Sequence, residues 1–160
     1  MEPLALGIIA SFALLVIRWI LVAEDYYFFL PYNLILAVIP LILAWLIVHY
    51  NRHTMLSPVL LAAAGFVWLI FFPNAPYMIT DFIHLAPRAG IPLWFDAVLI
   101  LFFASTGLLA GWYSLYLMQR LVTQWFDKTT SWVFVAVSLT LASFGVYLGR
   151  FLRWNSWDLF

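Results

Sequence analysis

Residues 57–72, SPVLLAAAGFVWLIFF, run without a charge into residues 73–85, PNAPYMITDFIHL, and the join between them decides how the chain is read. The first stretch has the composition of a membrane helix. Ser57 offers a capping hydroxyl and Pro58 suits the first helical position. Ala62, Ala63, Ala64 and Gly65 present a smooth face for close helix approach. Pro73 and Pro76 predict the end of this helix, with Asn74 between them able to bond freed backbone groups. Beyond the break, Tyr77, Asp81 and His84 recur along one helical face. Residues 77–86 therefore predict a short amphipathic helix lying in the interface and stopped by Pro87, the alternative being an ordinary surface helix with a wet face. Polar groups beside so much hydrocarbon-compatible sequence are expensive to hold, which makes this stretch a candidate functional site.

Working outward, composition fixes the class. With 67% hydrophobic residues, 9% charged and a mean hydropathy of +1.05, the chain lacks the polar surface to coat a soluble globule of 160 residues. The expectation is an all-α, polytopic helical membrane protein. A formal net charge of zero gives no basic field to attract nucleic acid. The absence of cysteine excludes disulfides, thiolate metal sites and a cysteine nucleophile. The first apolar run lacks a small-residue cleavage site and is followed by further spans, so it reads as a retained helix and not as a signal peptide.

The apolar runs predict about five transmembrane helices in a single transmembrane domain covering 1–160, with spans near 4–22, 31–50, 57–72, 92–118 and 131–150. Arg18 near the end of the first span reads as a snorkelling anchor beside Trp19 or, alternatively, as a counter-charge for the site. His49, Asn51, Arg52 and His53 form a short connection after the second span. The two histidines, without a nearby carboxylate, read as polar loop residues and not as a metal pair. Asp96 falls in the first turn of the fourth span, where the helix dipole favours a carboxylate. Gly107 with Gly111 and Gly145 with Gly149 form two GxxxG pairs, suggesting that spans four and five touch closely. Arg120 to Thr129 reads as a polar loop.

Counting crossings places the ends of spans one, three and five and the start of span four on one side of the membrane. Arg18, Asn74, Asp81, His84, Asp96, Arg150, Arg153 and Asp158 then share one face. The other face receives the N-terminus, His49 to His53 and Arg120 to Lys128.

Three blocks carry a resemblance. FFPNAPYMITDFIHL (71–85), PLWFD (92–96) and SFGVYLGRFLRWNSWD (143–158), in that order, resemble the bacterial integral-membrane family catalogued as domain of unknown function 1361. The resemblance implies a multi-spanning membrane protein whose polar motifs are family features, and brings no activity, substrate or cofactor. It also implies further apolar sequence after the NSWD block, where this chain stops at Phe160, and so an expectation of a truncated chain.

The residues leave three function classes open. The first is binding of an anionic lipid or envelope-precursor headgroup in a non-catalytic or partner role, with another membrane protein as a second kind of partner. Its binding set is Asn74, Tyr77, Asp81, His84, Asp96, Arg150, Arg153, Asn155 and Asp158, the arginines offering forked donors to phosphate or carboxylate. The second is a membrane-embedded enzyme acting on a lipid-linked substrate, with His84, Asp81 and Asp96 as catalytic candidates. The third is a transporter or channel subunit, which span centres nearly free of ionisable groups disfavour. No metal-ligand spacing stands out, and no cofactor is implied. The expected location is the bacterial cytoplasmic membrane, multi-pass, with the N-terminus cytoplasmic.

Overall fold

The computed structural model describes residues 2–54 and 56–152, which form α1 (Glu2–Val22), α2 (Phe29–Thr54), α3 (Pro58–Phe71), α4 (Asn74–Tyr77), a 3-10 helix (Met78–His84), α5 (Leu93–Trp125) and α6 (Lys128–Phe151). Five helical stretches are long and apolar enough to cross a membrane, the third running from Pro58 through the proline break to His84. Among the described residues there is no strand, and extended pairing is limited to the Arg88–Ile91 bridge. Large apolar side chains such as Leu6, Ile20, Ile35, Phe66, Trp112 and Phe144 are exposed around the bundle, as a lipid solvent permits.

The 33-residue α5 is the axis. At 1.5 Å per residue it is roughly 50 Å long, well over a bilayer core of ~30 Å, so it must tilt or project. Its buried residues, from Asp96 through Leu99, Phe103, Thr106, Ala110 and Ser114 to Met118 and Leu121, recur at three- and four-residue intervals along it. α1, α2, the 3-10 helix and α6 all pack on it. Small side chains set these approaches. A Cβ at Gly7 of α1 would come within 2.6 Å of Thr106 Oγ1, and Ser11 Oγ lies 3.4 Å from the same hydroxyl.

α3 begins as expected: Ser57 Oγ accepts from the Leu60 amide at 3.3 Å, with proline in the first turn. It ends at Phe71, where Asn74 Nδ2 donates to the Phe71 carbonyl at 2.9 Å. The proline break changes the type of helix without taking the chain out of the bundle. Gly65 faces Met118, Trp68 Nε1 donates to Ser114 Oγ at 2.6 Å, Ala75 rests on Gly111 and Met78 on Gly107. As the third stretch advances it meets earlier residues of α5, so the two run antiparallel throughout.

The short helix differs from expectation in its period. In a 3-10 helix residues three apart eclipse, so Met78, Asp81 and His84 share one edge. Met78 and Asp81 are buried, while Ile79 and Ile83 are exposed. The polar edge thus faces the protein and apolar side chains face outward, the inverse of a helix with a wet face.

The glycine pairs also serve differently. Gly107 and Gly111 accept Met78 and Ala75, and Gly145 accepts Pro73, whose Cγ would lie 2.6 Å from a Cβ there. α5 and α6 do pack on each other, but these glycines are spent on the proline segment, because a kinked chain carrying Pro73 and Met78 needs bare backbone beside it.

Two expected loops are helical. α2 continues through His49, Asn51, Arg52 and His53 to Thr54, and α5 continues past Arg120 and Gln124 to Trp125. Nothing in either stretch breaks a helix, and helices can outrun the bilayer core. α6 starts at Lys128, capped by Asp127, which accepts from the Thr129 and Thr130 amides and the Thr130 hydroxyl. The Thr130 hydroxyl first, then the Thr129 amide, hold the Asp127 carboxyl down to about 2. At the other end of the bundle, Ala23 closes α1 in the left-handed region with φ 52°, its amide donating to Trp19 O at 2.7 Å. Gly90, with φ 83°, turns the chain between Arg88 and Ile91 as a type II turn, a position that favours glycine.

Gly111→Ala is expected to destabilise the protein by about 1–3 kcal/mol through overpacking against the Ala75 methyl, which a Cβ at Gly111 would meet at 2.6 Å. Ala75→Gly in the same chain should restore most of the loss, since the two changes share one contact. Denaturant unfolding of the two single variants and the double variant in detergent measures this, and additive losses would contradict it.

Candidate polar site at one end of the bundle

Five helix ends or connections converge where α1 finishes and α2 and α5 begin. Two buried ion pairs occupy this end, with a longer, half-exposed Arg18–Glu24 contact beside the first. In the first, Arg18 of α1 donates through Nε to Asp96 Oδ1 of α5 at 2.8 Å, with both side chains only 1% exposed. The αL closure at Ala23 brings Glu24 back over Arg18, at 3.6 Å from Nη2, while Nη1 donates to the Glu24 carbonyl at 3.4 Å. The Arg18 guanidinium also lies 4.6 Å from the centre of the buried Tyr27 ring. Arg18 is therefore a buried counter-charge and not a snorkelling anchor, because a carboxylate opposite it on α5 holds the charge within the bundle.

In the second pair, Arg150 near the end of α6 reaches Asp81 on the 3-10 helix at 3.1 Å and donates to Thr80 Oγ1 at 2.6 Å. Asn33 of α2 donates to the other oxygen of Asp81 at 2.9 Å. Tyr77 lies beneath the Arg150 guanidinium, 4.7 Å from ring centre to carbon. Asp81 thereby ties α2, the 3-10 helix and α6 together.

His84 joins neither pair by a hydrogen bond. Its ring packs on Phe29 with centres 4.8 Å apart, and its carbonyl accepts from the Tyr27 hydroxyl at 3.5 Å. Burial first, then the nearby Asp96 charge, push the Tyr27 phenol above its ordinary value, so it remains a donor. Arg88, on the turn after the 3-10 helix, stacks on Tyr26 at 3.3 Å from the ring centre, with Tyr27 at 5.9 Å. Among the described residues no carboxylate lies within salt-bridge distance of Arg88, and its Nε is buried without a partner.

Of the residues expected from sequence, Tyr77, Asp81, His84, Asp96 and Arg150 come to this end, together with Arg18. Asn74 is engaged in closing α3. Arg153, Asn155 and Asp158 lie outside the described residues. Asn33, Tyr26, Tyr27, Thr80 and Arg88 complete the arrangement without belonging to the expected binding set. Asn33 could have been found as a lone amide in an apolar helix, while Tyr26 and Tyr27 follow Glu24 and Asp25 in a short acidic and aromatic connection that the sequence marks as suited to the headgroup region. Among the described residues no group of three or more His, Asp or Glu side chains is placed to hold a metal ion. Asp81 and Asp96 each hold an arginine.

Fold and polar end together define a polytopic all-α membrane protein whose buried ion pairs, among the described residues, gather at one end. A family model described as "Protein of unknown function (DUF1361)" matches residues 32–160, and the chain belongs to that family. Comparison with curated proteins and with solved structures returned no match.

Removing one partner of the Arg18–Asp96 pair should cost about 3–5 kcal/mol, because the other charge is left buried. Asp96→Ala is expected to unfold well below the wild-type midpoint. Arg18→Leu combined with Asp96→Leu should recover most of that loss. Thermal unfolding in detergent compares them, and a double variant no better than the single would count against a buried pair.

Proposed function

We propose that the protein binds a phosphate-bearing anionic headgroup, of a lipid or an envelope precursor, at its polar end in a non-catalytic role. Arg88 is the cation that meets it. One observation carries this reading: Arg88 is fixed over Tyr26 at 3.3 Å, with a buried Nε and no carboxylate neighbour among the described residues. Arg18 and Arg150 differ in holding Asp96 and Asp81. A guanidinium oriented by aromatic stacking keeps its forked donors available to phosphate or carboxylate oxygens. Arg150 then acts by ordering the 3-10 helix that precedes the Arg88 turn.

We also propose that this end faces outward, with the N-terminus cytoplasmic. Lys and Arg near span ends mark the cytoplasmic side. Pairing of Arg18 and Arg150 supports leaving them out of that count. What remains is Arg88 and, by the count of crossings, Arg153 at this end against Arg52, Arg120 and Lys128 at the other.

Arg88→Gln is expected to lower co-purifying anionic lipid about tenfold, the equivalent of ~1.4 kcal/mol, while the unfolding midpoint stays near wild type. Arg150→Gln should lower the midpoint. Native mass spectrometry and thermal unfolding read the two effects, and unchanged anionic lipid in Arg88→Gln overturns the assignment.

Because the chain has no cysteine, orientation can be read with single cysteines at Ala89 and Thr129. A membrane-impermeant thiol reagent on intact cells should label the first and spare the second. The reverse pattern defeats the outward placement.

A further inference from the structure

The end of α2 remote from the polar site carries an arrangement that neither headgroup binding nor packing uses. Trp45, His49 and His53 succeed one another at four-residue intervals on a stripe of α2 that is exposed at all three positions. Asn33, which binds Asp81 near the other end of the same helix, is roughly 24 Å away at 1.5 Å per residue. The His49 and His53 ring centres are 4.6 Å apart with planes tilted by 59°. His49 also stacks on Trp45, 5.1 Å between centres and 14° between planes, while Tyr50 meets its edge at 5.8 Å.

These distances match a chelate. A metal ~2.0–2.1 Å from an imidazole nitrogen lies roughly 3.2 Å from that ring's centre, so two imidazoles at adjacent positions of an octahedral or square-planar ion have centres about 4.5 Å apart. Helical i, i+4 spacing supplies the approach, since such side chains stand on the same face. The Trp45 and Tyr50 contacts hold one ring in place before any ion arrives. Both histidines belong to a single continuous helix, so no loop has to be ordered on binding.

We infer that His49 and His53 form a two-imidazole site for a divalent transition-metal ion, at the end of the bundle opposite Arg88. Copper(II) and nickel(II) suit it best, because they bind imidazole strongly and accept neighbouring positions near 90°. The remaining coordination positions are open to water or to a ligand from a partner. Arg52, three residues from His49, is a nearby positive charge that weakens binding of any cation without blocking the nitrogens.

The test uses the full chain, purified without a histidine tag in detergent, and copper(II) alone as the probe. Electron paramagnetic resonance is expected to show one bound copper per chain with nitrogen ligands. His49→Ala and His53→Ala should each weaken binding tenfold or more, and His84→Ala should leave it unchanged. Moving the second ligand, by His53→Ala with Thr54→His, keeps the histidine count and destroys the spacing, so it too should lose the site. Circular dichroism checks that each variant is folded. Binding that survives the relocation, follows His84, or is absent from the wild-type protein overturns the inference.

Discussion

Asp81 and Asp96 are carboxylates almost wholly withdrawn from water in a protein whose surroundings are hydrocarbon, and the arrangement of the polar end follows from that constraint. An isolated buried charge costs several kcal/mol at least, so each must be met by a cation and further donors. Asp96 draws in Arg18 from α1. Asp81 draws in Arg150 from α6 and Asn33 from α2. Five parts of the chain are thereby fastened at one end by two residues. Neither pair need add much net stability over apolar packing. What they impose is register, because a slip of one residue on any of these helices would strand a charge.

Elsewhere the bundle is held by shape. Lipid tails solvate apolar side chains as well as protein does, so contact between helices must come from close fit and short hydrogen bonds. α5 supplies both, with Gly107 and Gly111 receiving the proline segment and Thr106 and Ser114 meeting Ser11 and Trp68. The proline segment is what makes the glycines necessary. Pro73 and Pro76 turn an ordinary crossing helix into a tighter one, and its three-residue period delivers Asp81 to the interior together with Met78.

A division of labour among the arginines follows. Arg18 and Arg150 are committed to carboxylates, whereas Arg88 rests on an aromatic ring on a turn fixed by Gly90 and by the buried Ile91. The first two are thereby structural, and no carboxylate among the described residues lies within salt-bridge distance of the third. The ring of His84 packs on Phe29 at the start of α2.

The amino-acid sequence alone was enough for the all-α membrane class, because 67% hydrophobic composition in long uncharged runs has no soluble solution. It also determined which residues would share an end, since an odd number of crossings sorts helix ends into two groups whatever the packing. Asp81, Asp96, Arg150 and Arg18 were legible as neighbours in that sense. Partners were not: that Arg18 takes Asp96 and Arg150 takes Asp81 depends on how the helices are ordered around α5, which crossing counts do not contain. The inward turn of the 3-10 edge was hidden for a related reason. Whether Asp81 aligns with Tyr77 or with Met78 depends on a period of four or three, and in the structure Met78, seated on Gly107, and Asp81 share the edge of a three-residue period. Likewise His49 and His53 look like loop residues until the helix is seen to outrun the apolar run that announced it. Only then does a four-residue spacing become a distance of 4.6 Å.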